Sequence, residues 1–302
     1  MKLKLYLRLL RPKQWTKNLL VFAALIFTRG YADPAQLQLC VVAFFALCLF
    51  SSAVYAMNDV LDAERDRSHP VKKHRPIASG GVTEAEGILA SVLCLTLGGL
   101  LSAYVGPQYL LGACVYLFLQ VAYNLWFKKA PVLDVVIVST GFVLRAALGA
   151  DAIEKGISGW LLFCTGALAL LLASSKRRHE FHLMGDDRSQ SRSALAAYTS
   201  QALDAMVVFS AAIASMAYGI YAIESNTAKE FPSLLFTVPF VILGVLRYLF
   251  ITFATNDGGE PENVLLTDWQ IIASVVLFLA AAIYAIEGGD IPLLTNPTRI
   301  VQ

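Results

Sequence analysis

Long apolar stretches recur along the whole chain and constrain its fold more than any other feature. Most approach the length of about 20 residues that an α-helix needs to cross a bilayer core of about 30 Å. The nine stretches span residues 15–27, 37–57, 87–105, 109–127, 132–150, 159–173, 205–223, 234–250 and 271–286, and the first is the weakest. They predict an all-α, polytopic membrane protein with nine transmembrane helices.

The composition excludes an ordinary soluble domain. The chain has 302 residues and is 57% hydrophobic and 15% charged, whereas soluble domains are roughly 45–50% apolar and about 25% charged. All five cysteines fall in apolar stretches, so we expect neither a disulfide framework nor a zinc site. We predict a single integral membrane domain over residues 1–302, with membrane lipids and no nucleic acid among its partners.

Positive charges are distributed unevenly between the two ends of the predicted helices. Of the 24 Lys and Arg residues, only Arg29, Lys155, Lys229 and Arg299 fall on the side opposite the N-terminus, and Arg145 lies inside a stretch. Basic residues near membrane spans stay in the cytoplasm. We therefore expect a multi-pass protein of the inner (plasma) membrane with a cytoplasmic N-terminus and its active site facing the cytoplasm.

Residues 1–17 mix leucines with lysines and arginines. This pattern predicts an amphipathic helix that lies in the anionic cytoplasmic interface. Membrane anchoring accounts for most of these residues. Lys17 is the exception, because it sits where the surface helix would turn into the membrane and can reach an anionic ligand.

An acidic stripe, formed by Asp59, Asp62 and Asp66, ends the second stretch. On a helix the three carboxylates lie within about 60° of one another, and Arg65 is predicted to point away from them. Stacked carboxylates repel each other, and clustered oxygen ligands suit Mg²⁺, whose coordination shell substrate phosphates can complete. The stripe predicts a metal-bound diphosphate site, and a solvated helix end balanced by neighbouring arginines is the alternative.

A basic segment follows the stripe, within a cytoplasmic loop predicted over residues 58–86. It contains Lys72, Lys73, His74 and Arg75. These cations can bind substrate phosphates that a metal leaves uncovered, which an arginine can do bidentately, or they can hold anionic lipid. Both interpretations stay open.

A second basic segment opens the predicted cytoplasmic loop 174–203. Lys176 and Arg177 precede Glu180. Lys176 and Glu180 stand one helical turn apart, so a simple surface ion pair would explain them. Because both loops follow the cytoplasmic ends of their helices, we expect them to face a common cavity.

Several polar side chains fall within or beside apolar stretches. Arg145 is predicted to face the bundle interior or an anion, because a charge exposed to lipid is costly. Asp134 would be an ordinary partner for it, although about 16 Å of helix separates the two residues. Tyr123 and Asn124 can line the same cavity, or Tyr123 can serve as an interface anchor. The polar stretch 256–262 closes over the cavity or is a linker.

The pattern Asn58-Asp59-x-x-Asp62-x-x-x-Asp66 resembles the first aspartate-rich motif of the UbiA superfamily of intramembrane prenyltransferases. Members of that superfamily carry a second aspartate-rich motif after the sixth helix. Here residues 176–180 read Lys-Arg-Arg-His-Glu instead, which resembles the decaprenyl-phosphate phosphoribosyltransferase branch. The matching segments include residues 10–18, 69–70, 75–78, 144–146, 176–180, 198–200 and 259–262.

This resemblance implies a UbiA-like bundle that binds Mg²⁺ and phosphoribosyl pyrophosphate, with a polyprenyl phosphate in its membrane-facing groove. The expected reaction transfers 5-phosphoribose to the lipid phosphate and releases pyrophosphate, in cell-wall arabinan precursor synthesis. Asp59, Asp62 and Asp66 would bind the metal and act in catalysis with Lys176 and Arg177. The expected substrate-binding residues are Lys17, Asn58, Lys72, Arg75, Tyr123, Arg145, Glu180 and Tyr198.

Two other functions remain compatible with the sequence. A conventional prenyltransferase would move an isoprenoid from its diphosphate to an aromatic acceptor, and the missing second acidic motif argues against it. A lipid or anion transporter without enzymatic activity would be compatible with the predicted spans, and the acidic stripe argues against it. Each of the three functions is compatible with a homo-oligomer.

Overall fold

The chain forms helices and turns throughout the described part of its computed structural model, which comprises residues 2–67, 72–184, 193–254, 264 and 267–287. These residues contain no strand. The prediction of an all-α protein is therefore confirmed. The motif residues 69–70 and the polar stretch 256–262 lie outside the described residues, as do parts of the two predicted loops.

The N-terminal region is broken into short helices. Helix α1 spans Lys2–Leu10, the 3₁₀ lead-in segment spans Pro12–Val21, and helix α2 spans Phe22–Phe27. The break falls at Arg11, whose backbone is left-handed at φ 53° and ψ 57°. A proline follows it, and proline can begin a helix but not continue one. The predicted first span therefore lacks one continuous membrane-length helix.

Three long helices and one short helix follow. They are α3 at Pro34–Leu61, α4 at Ala63–Arg67, α5 at Glu84–Val105 and α6 at Pro107–Leu125. Thr83 and Glu86 form a reciprocal capping box at the start of α5, which satisfies backbone donors there. Ser91 on α5 donates a hydrogen bond to the Ala53 carbonyl on α3 at 3.0 Å. This bond fastens the two helices beside the end of α3.

One of the remaining helices, α8 at Gly159–Met184, is longer than the apolar stretch that predicted it. The others are α7 at Leu133–Ala152, α9 at Ser193–Ala196, α10 at Ser200–Glu224, α11 at Asn226–Glu230, α12 at Val238–Ala254 and α13 at Trp269–Ile286. The apolar stretch within α8 ends at Ala173, where the sequence predicted a loop. The helix continues because Ser174, Ser175 and Arg177 are buried and packing sustains it.

Seven segments of the described residues are long and apolar enough to cross a membrane. They are α3, α5, α7, α8, α10, α13 and the stretch Pro232–Ala254, in which a 3₁₀ turn leads into α12. The predicted stretches 15–27 and 109–127 are not among them. The first is divided, and α6, which holds the second, carries the polar residues Gln108, Gln120 and Asn124.

The chain divides into two compact units. Unit 1 comprises Met1–Trp126 and Leu144–Gly156, and unit 2 comprises Phe127–Val143 and Ile157–Gln302. The core of unit 1 includes Leu47, Phe50, Tyr109, Tyr116 and Leu148. The core of unit 2 includes Leu171, Val207, Tyr248, Ile251 and Ile271. The acidic stripe belongs to unit 1, whereas the second basic segment belongs to unit 2.

The lead-in segment packs on α7 without clearance inside unit 1. A Cβ atom added at Gly149 would lie 2.0 Å from the Val21 carbonyl oxygen. No side chain fits at that distance, so glycine is what lets the two backbones approach. This contact fixes the segment that follows Arg11 and carries Lys17.

Candidate active site

Two aspartates of the acidic stripe are buried together in unit 1. Asp59 lies in the last turn of α3 and Asp66 in α4, and each is 1% exposed. Although α3 ends before Asp62, the Asp62 N–H donates to the Asn58 carbonyl at 2.9 Å and the Asp66 N–H donates to the Asp62 carbonyl at 2.8 Å. The backbone thus stays nearly helical, so Asp59 and Asp66 share one face about two turns apart.

Two arginines neutralise this pair. Arg75 Nη1 donates to Asp66 Oδ2 at 2.7 Å and lies 3.3 Å from Asp59 Oδ1. Arg11 Nη2 donates to Asp59 Oδ1 at 2.5 Å, and its guanidinium lies 4.9 Å from the centroid of the Tyr55 ring. Both arginine side chains are 28% exposed. This acidic cluster of two aspartates and two arginines is balanced in formal charge by cations that still reach its surface.

Asp62 stands apart from the acidic cluster. Its side chain is 25% exposed and pairs with Arg65 Nη2 at 2.8 Å. The prediction that Arg65 points away from the stripe is wrong. Helix α3 ends just before Asp62, whose backbone angles are φ −96° and ψ 2°. The side chains of Asp62 and Arg65 meet across the turn that follows. Asp62 is the most accessible carboxylate of the three.

The buried aspartates offer oxygen ligands to a divalent cation. Asp59 Oδ2 and Asp66 Oδ1 are buried and have no hydrogen-bond partner in the described part of the chain. Mg²⁺ prefers such oxygens, takes one or two carboxylates and completes its shell with water and phosphate. No group of three or more His, Cys, Asp and Glu side chains that could hold a metal occurs among the described residues. The pair fits a cation shared with substrate oxygens.

Four more predicted site residues of unit 1 are half-buried. Asn58 precedes Asp59 on α3, Lys17 lies in the lead-in segment, Lys72 begins a 3₁₀ turn after the stripe, and Tyr123 lies near the end of α6. Half-buried amide, ammonium and phenol groups can reach a ligand without leaving their positions. Their contacts with substrate stay predictions.

Arg145 connects α7 to the lead-in segment inside unit 1. It is 6% exposed, which confirms the prediction that it faces the interior. Its Nε donates to Asn18 Oδ1 at 2.7 Å, and its Nη2 donates to the Tyr116 hydroxyl at 2.7 Å. Gln120 Nε2 donates to the same hydroxyl at 2.9 Å. Because Asn18 follows Lys17, this network fixes the backbone that presents Lys17.

Asp134, considered above as a partner for Arg145, pairs with Arg177 in unit 2. The two charged atoms, Asp134 Oδ2 and Arg177 Nε, lie 2.8 Å apart, and the side chains are 0% and 5% exposed. Arg177 Nη1 also donates to Glu180 Oε2, one helical turn along α8. Buried charges require such partners because desolvation is costly. The guanidinium of Arg177 is therefore held by two carboxylates.

Tyr198 completes this Arg177 cluster, which consists of Arg177, Asp134, Glu180 and Tyr198. Its hydroxyl donates to Asp134 Oδ1 at 2.8 Å and accepts the Val132 N–H at 2.6 Å. Burial raises the pKa of the Tyr198 phenol above its usual value, so the hydroxyl stays protonated. The hydroxyl donates its single hydrogen to Asp134. It would have to give up that hydrogen bond before it could donate to a substrate phosphate.

Lys176 is exposed on α8 next to the Arg177 cluster. Within the described residues it forms no ion pair, and Glu180 pairs with Arg177 instead. The surface pair between Lys176 and Glu180 that the sequence suggested is absent. Lys176 is an exposed cation of α8 that an anion can approach.

Arg11 is the site residue that sequence reasoning missed. It lies within the matching segment 10–18, but the amphipathic pattern of residues 1–17 assigns it to membrane anchoring. A usable signal was present, since the Arg11-Pro12 step marks the break at which a side chain can turn away from the surface helix. Its partner Asp59 is too distant in sequence for local spacing to reveal.

These features define a helical membrane protein with an acidic cluster at the end of one long helix. Residues 19–262 match the UbiA prenyltransferase family, and the chain belongs to that family. It is 34% identical to the decaprenyl-phosphate phosphoribosyltransferase of Mycolicibacterium smegmatis, covering 92% of both chains. It is also 34% identical to the decaprenyl-phosphate phosphoribosyltransferase of Corynebacterium glutamicum, covering 92% of this chain and 86% of the relative.

The fold is similar to that of solved members of the family. A UbiA homolog from Archaeoglobus fulgidus, bound to GPP and Mg²⁺, matches with a TM-score of 0.71 at 21% identity. The match covers 94% of this chain and 99% of that chain. At this low identity the similarity concerns the fold, and it confirms the UbiA-like architecture that the aspartate motif implied.

Proposed function

We propose that this chain transfers 5-phosphoribose from phosphoribosyl pyrophosphate to a polyprenyl phosphate of the decaprenyl type and releases pyrophosphate. The observation that carries the proposal is the 34% identity to named phosphoribosyltransferases over 92% of both chains. The buried Asp59 and Asp66 pair supports it, because their unpartnered oxygens suit a metal-bound diphosphate. The product would enter cell-wall arabinan precursor synthesis.

The proposed setting is the inner (plasma) membrane, with a cytoplasmic N-terminus and active site. Its support is the distribution of Lys and Arg, which are concentrated on one side of the apolar stretches. We infer nine crossings in one membrane domain over residues 1–302. One of them would be formed by the short helices between residues 12 and 27, and another by α6. A soluble sugar donor would then arrive from the cytoplasm, and the lipid acceptor from the bilayer.

Mg²⁺ is the proposed cofactor, bound by Asp59, Asp66 and the more exposed Asp62. When bound, it would neutralise the charge that develops on the departing pyrophosphate. The lipid phosphate oxygen forms a bond to the ribose anomeric carbon while the bond from that carbon to pyrophosphate breaks, and pyrophosphate keeps the electron pair. A phosphate acceptor is already anionic at neutral pH, so the chain needs no strong general base.

The basic residues would bind the anionic groups of the substrates. Lys17, Lys72, Arg75 and Lys176 would bind donor or lipid phosphates, because their ammonium and guanidinium groups are half-buried or exposed. Asn58 would orient the donor or the first aspartate. Tyr123 would line the substrate cavity.

The remaining predicted site residues act through others in this proposal. Arg145 would position Lys17 through Asn18, because its guanidinium is already bound inside unit 1. Arg177, Glu180 and Tyr198 would shape the end of α8 that presents Lys176, because they are bound to one another and to Asp134. Their effect on catalysis is indirect.

A direct test is a transfer assay with the purified protein in lipid nanodiscs. Radiolabelled phosphoribosyl pyrophosphate, Mg²⁺ and decaprenyl phosphate should give a labelled lipid, and EDTA should abolish it until Mg²⁺ is restored. Decaprenol, which lacks the phosphate, is the matched control and should give no product.

The same preparation distinguishes the other two functions. Product formed only from a prenyl diphosphate and an aromatic acceptor would establish a conventional prenyltransferase and contradict the proposal. No turnover of either diphosphate, combined with lipid or anion movement in vesicles, would support the transporter.

A further inference from the structure

Arg11 binds a carboxylate that the proposed metal ion would also use. Arg11 Nη2 donates to Asp59 Oδ1 at 2.5 Å, and Arg75 bridges Asp59 and Asp66. Both carboxylates are 1% exposed, so they have little water to stabilise their charge. The two arginines supply that stabilisation when the site holds no metal.

A divalent cation at the buried aspartates would change this balance. Two guanidinium groups and a metal would then share one small volume, and like charges at contact distance repel strongly in a partly desolvated site. Arg75 contacts both Asp59 and Asp66, so it can retain an ion pair with one carboxylate if it loses the other. Arg11 contacts one carboxylate oxygen, Asp59 Oδ1, and it is the arginine that a metal on Asp59 would displace.

The position of Arg11 allows this displacement. Its side chain is 28% exposed, so it can move without repacking the core. It stands at the break between α1 and the lead-in segment, with its guanidinium 4.9 Å from the Tyr55 ring centroid. A cation resting on an aromatic face keeps a stabilising contact while its ion-pair partner changes.

We propose that Arg11 is a donor-binding residue that exchanges partners: it holds Asp59 before the metal binds, and it then moves to a phosphate group of the incoming sugar diphosphate. This inference rests on the proposed function and names a phosphate ligand within it. The planar guanidinium suits a phosphate because it can donate two parallel hydrogen bonds. Arg11 thus weakens metal binding when the donor is absent. It strengthens donor binding when the metal is present.

The test measures metal and donor binding separately in Arg11→Gln. Mn²⁺ binding is followed by electron paramagnetic resonance without donor, and labelled phosphoribosyl pyrophosphate binding is measured with Mg²⁺. We expect Mn²⁺ to bind about two- to fivefold more tightly, because a partly exposed ion pair no longer competes. We expect the donor to bind about tenfold or more weakly, because a charge-assisted hydrogen bond is lost.

Arg8→Gln is the matched control, on helix α1 just before Arg11. Arg8 is exposed and donates to the His74 carbonyl at 3.4 Å, so neither binding constant should change by more than about twofold. Arg11→Lys serves if Arg11→Gln does not fold. Lysine keeps the positive charge but lacks the planar guanidinium that donates two parallel hydrogen bonds. We therefore expect unchanged or tighter Mn²⁺ binding and weaker donor binding.

The outcomes are distinguishable from failure of the proposed function. If the wild type does not bind phosphoribosyl pyrophosphate with Mg²⁺, both proposals are overturned. If the wild type binds it and the Arg11 variants bind it equally well, only the role of Arg11 is overturned. Weaker Mn²⁺ binding in the variants would also overturn it, because it would show that Arg11 merely supports the fold around Asp59.

Discussion

The acidic cluster of unit 1 and the Arg177 cluster of unit 2 both pair arginine with buried aspartate, but their arginines differ in accessibility. In the acidic cluster the carboxylates are buried while Arg11 and Arg75 are 28% exposed. In the Arg177 cluster the arginine is 5% exposed and its partner Asp134 is 0% exposed. The two arginines of the first cluster are therefore accessible from solvent, whereas the single arginine of the second is enclosed.

The buried carboxylate oxygens of the two clusters also differ in their charged neighbours. Asp59 and Asp66 each keep one buried oxygen without a hydrogen-bond partner among the described residues. Asp134 Oδ2 likewise accepts no hydrogen bond among the described residues, but it lies 2.8 Å from the charged Arg177 Nε, and Asp134 Oδ1 accepts a hydrogen bond from the Tyr198 hydroxyl. We therefore expect similar charges to serve ligand binding in unit 1 and structural support in unit 2.

The largest expected effect tests the structural half of this comparison. Arg177→Met leaves Asp134 buried without its cation, and breaking a buried pair costs about 3–5 kcal/mol. We expect the free energy of unfolding in detergent micelles to fall by that amount. The double variant Arg177→Met with Asp134→Leu should recover most of the loss. A single variant as stable as the wild type would contradict the structural role.

Asp59→Asn tests the ligand-binding half. It keeps the shape of the side chain but removes the charge that we propose binds the metal, and we expect kcat/KM for transfer to fall about a hundredfold to a thousandfold. The protein should remain folded, as judged by its elution in size-exclusion chromatography. Asp62→Asn should cost less, because Asp62 is 25% exposed and paired with Arg65. Equal losses would show that burial does not separate the two aspartates.

Tyr198→Phe should have a smaller effect. It removes one hydrogen bond to a buried carboxylate, for a loss of about 1.5–3 kcal/mol in unfolding free energy. The KM for the donor should stay within about twofold, which corresponds to less than 0.5 kcal/mol. A KM increase without a stability loss would indicate that Tyr198 contacts substrate phosphate after all.

Arg65→Gln should have the smallest effect. The ion pair with Asp62 is formed by side chains that are 65% and 25% exposed, and such pairs contribute about 0–1 kcal/mol. We expect thermal stability in nanodiscs to change little. A large loss of stability would show that this pair, like that of Arg177, supports the fold.

The fold followed from the sequence where hydrophobicity alone decides it. The stretch at 37–57 lies inside α3, and the stretch at 271–286 lies inside α13. The stretch at 15–27 does not form one continuous helix, because the Arg11-Pro12 step starts a 3₁₀ segment. Prediction failed after residue 173, because α8 continues on buried polar groups that a hydropathy pattern does not register.

The candidate site was predictable where its residues are close in sequence. Asp59 and Asp66 share a helical face, which residue spacing reveals. The contacts of Arg11 with Asp59 and of Asp134 with Arg177 join different helices. Helix periodicity gives no information about which helices pack together, so these partners required the structure.

The contact between Gly149 and the Val21 carbonyl oxygen limits how this protein can be recombined. A methyl group at position 149 would meet that oxygen at 2.0 Å. A chimaera that receives residues 11–21 from this chain therefore also needs glycine at the facing position of its own helix. Without it the transplanted backbone is pushed outward, and Arg11 and Lys17 move with it. Two sequence segments that are far apart are thus inherited together or not at all.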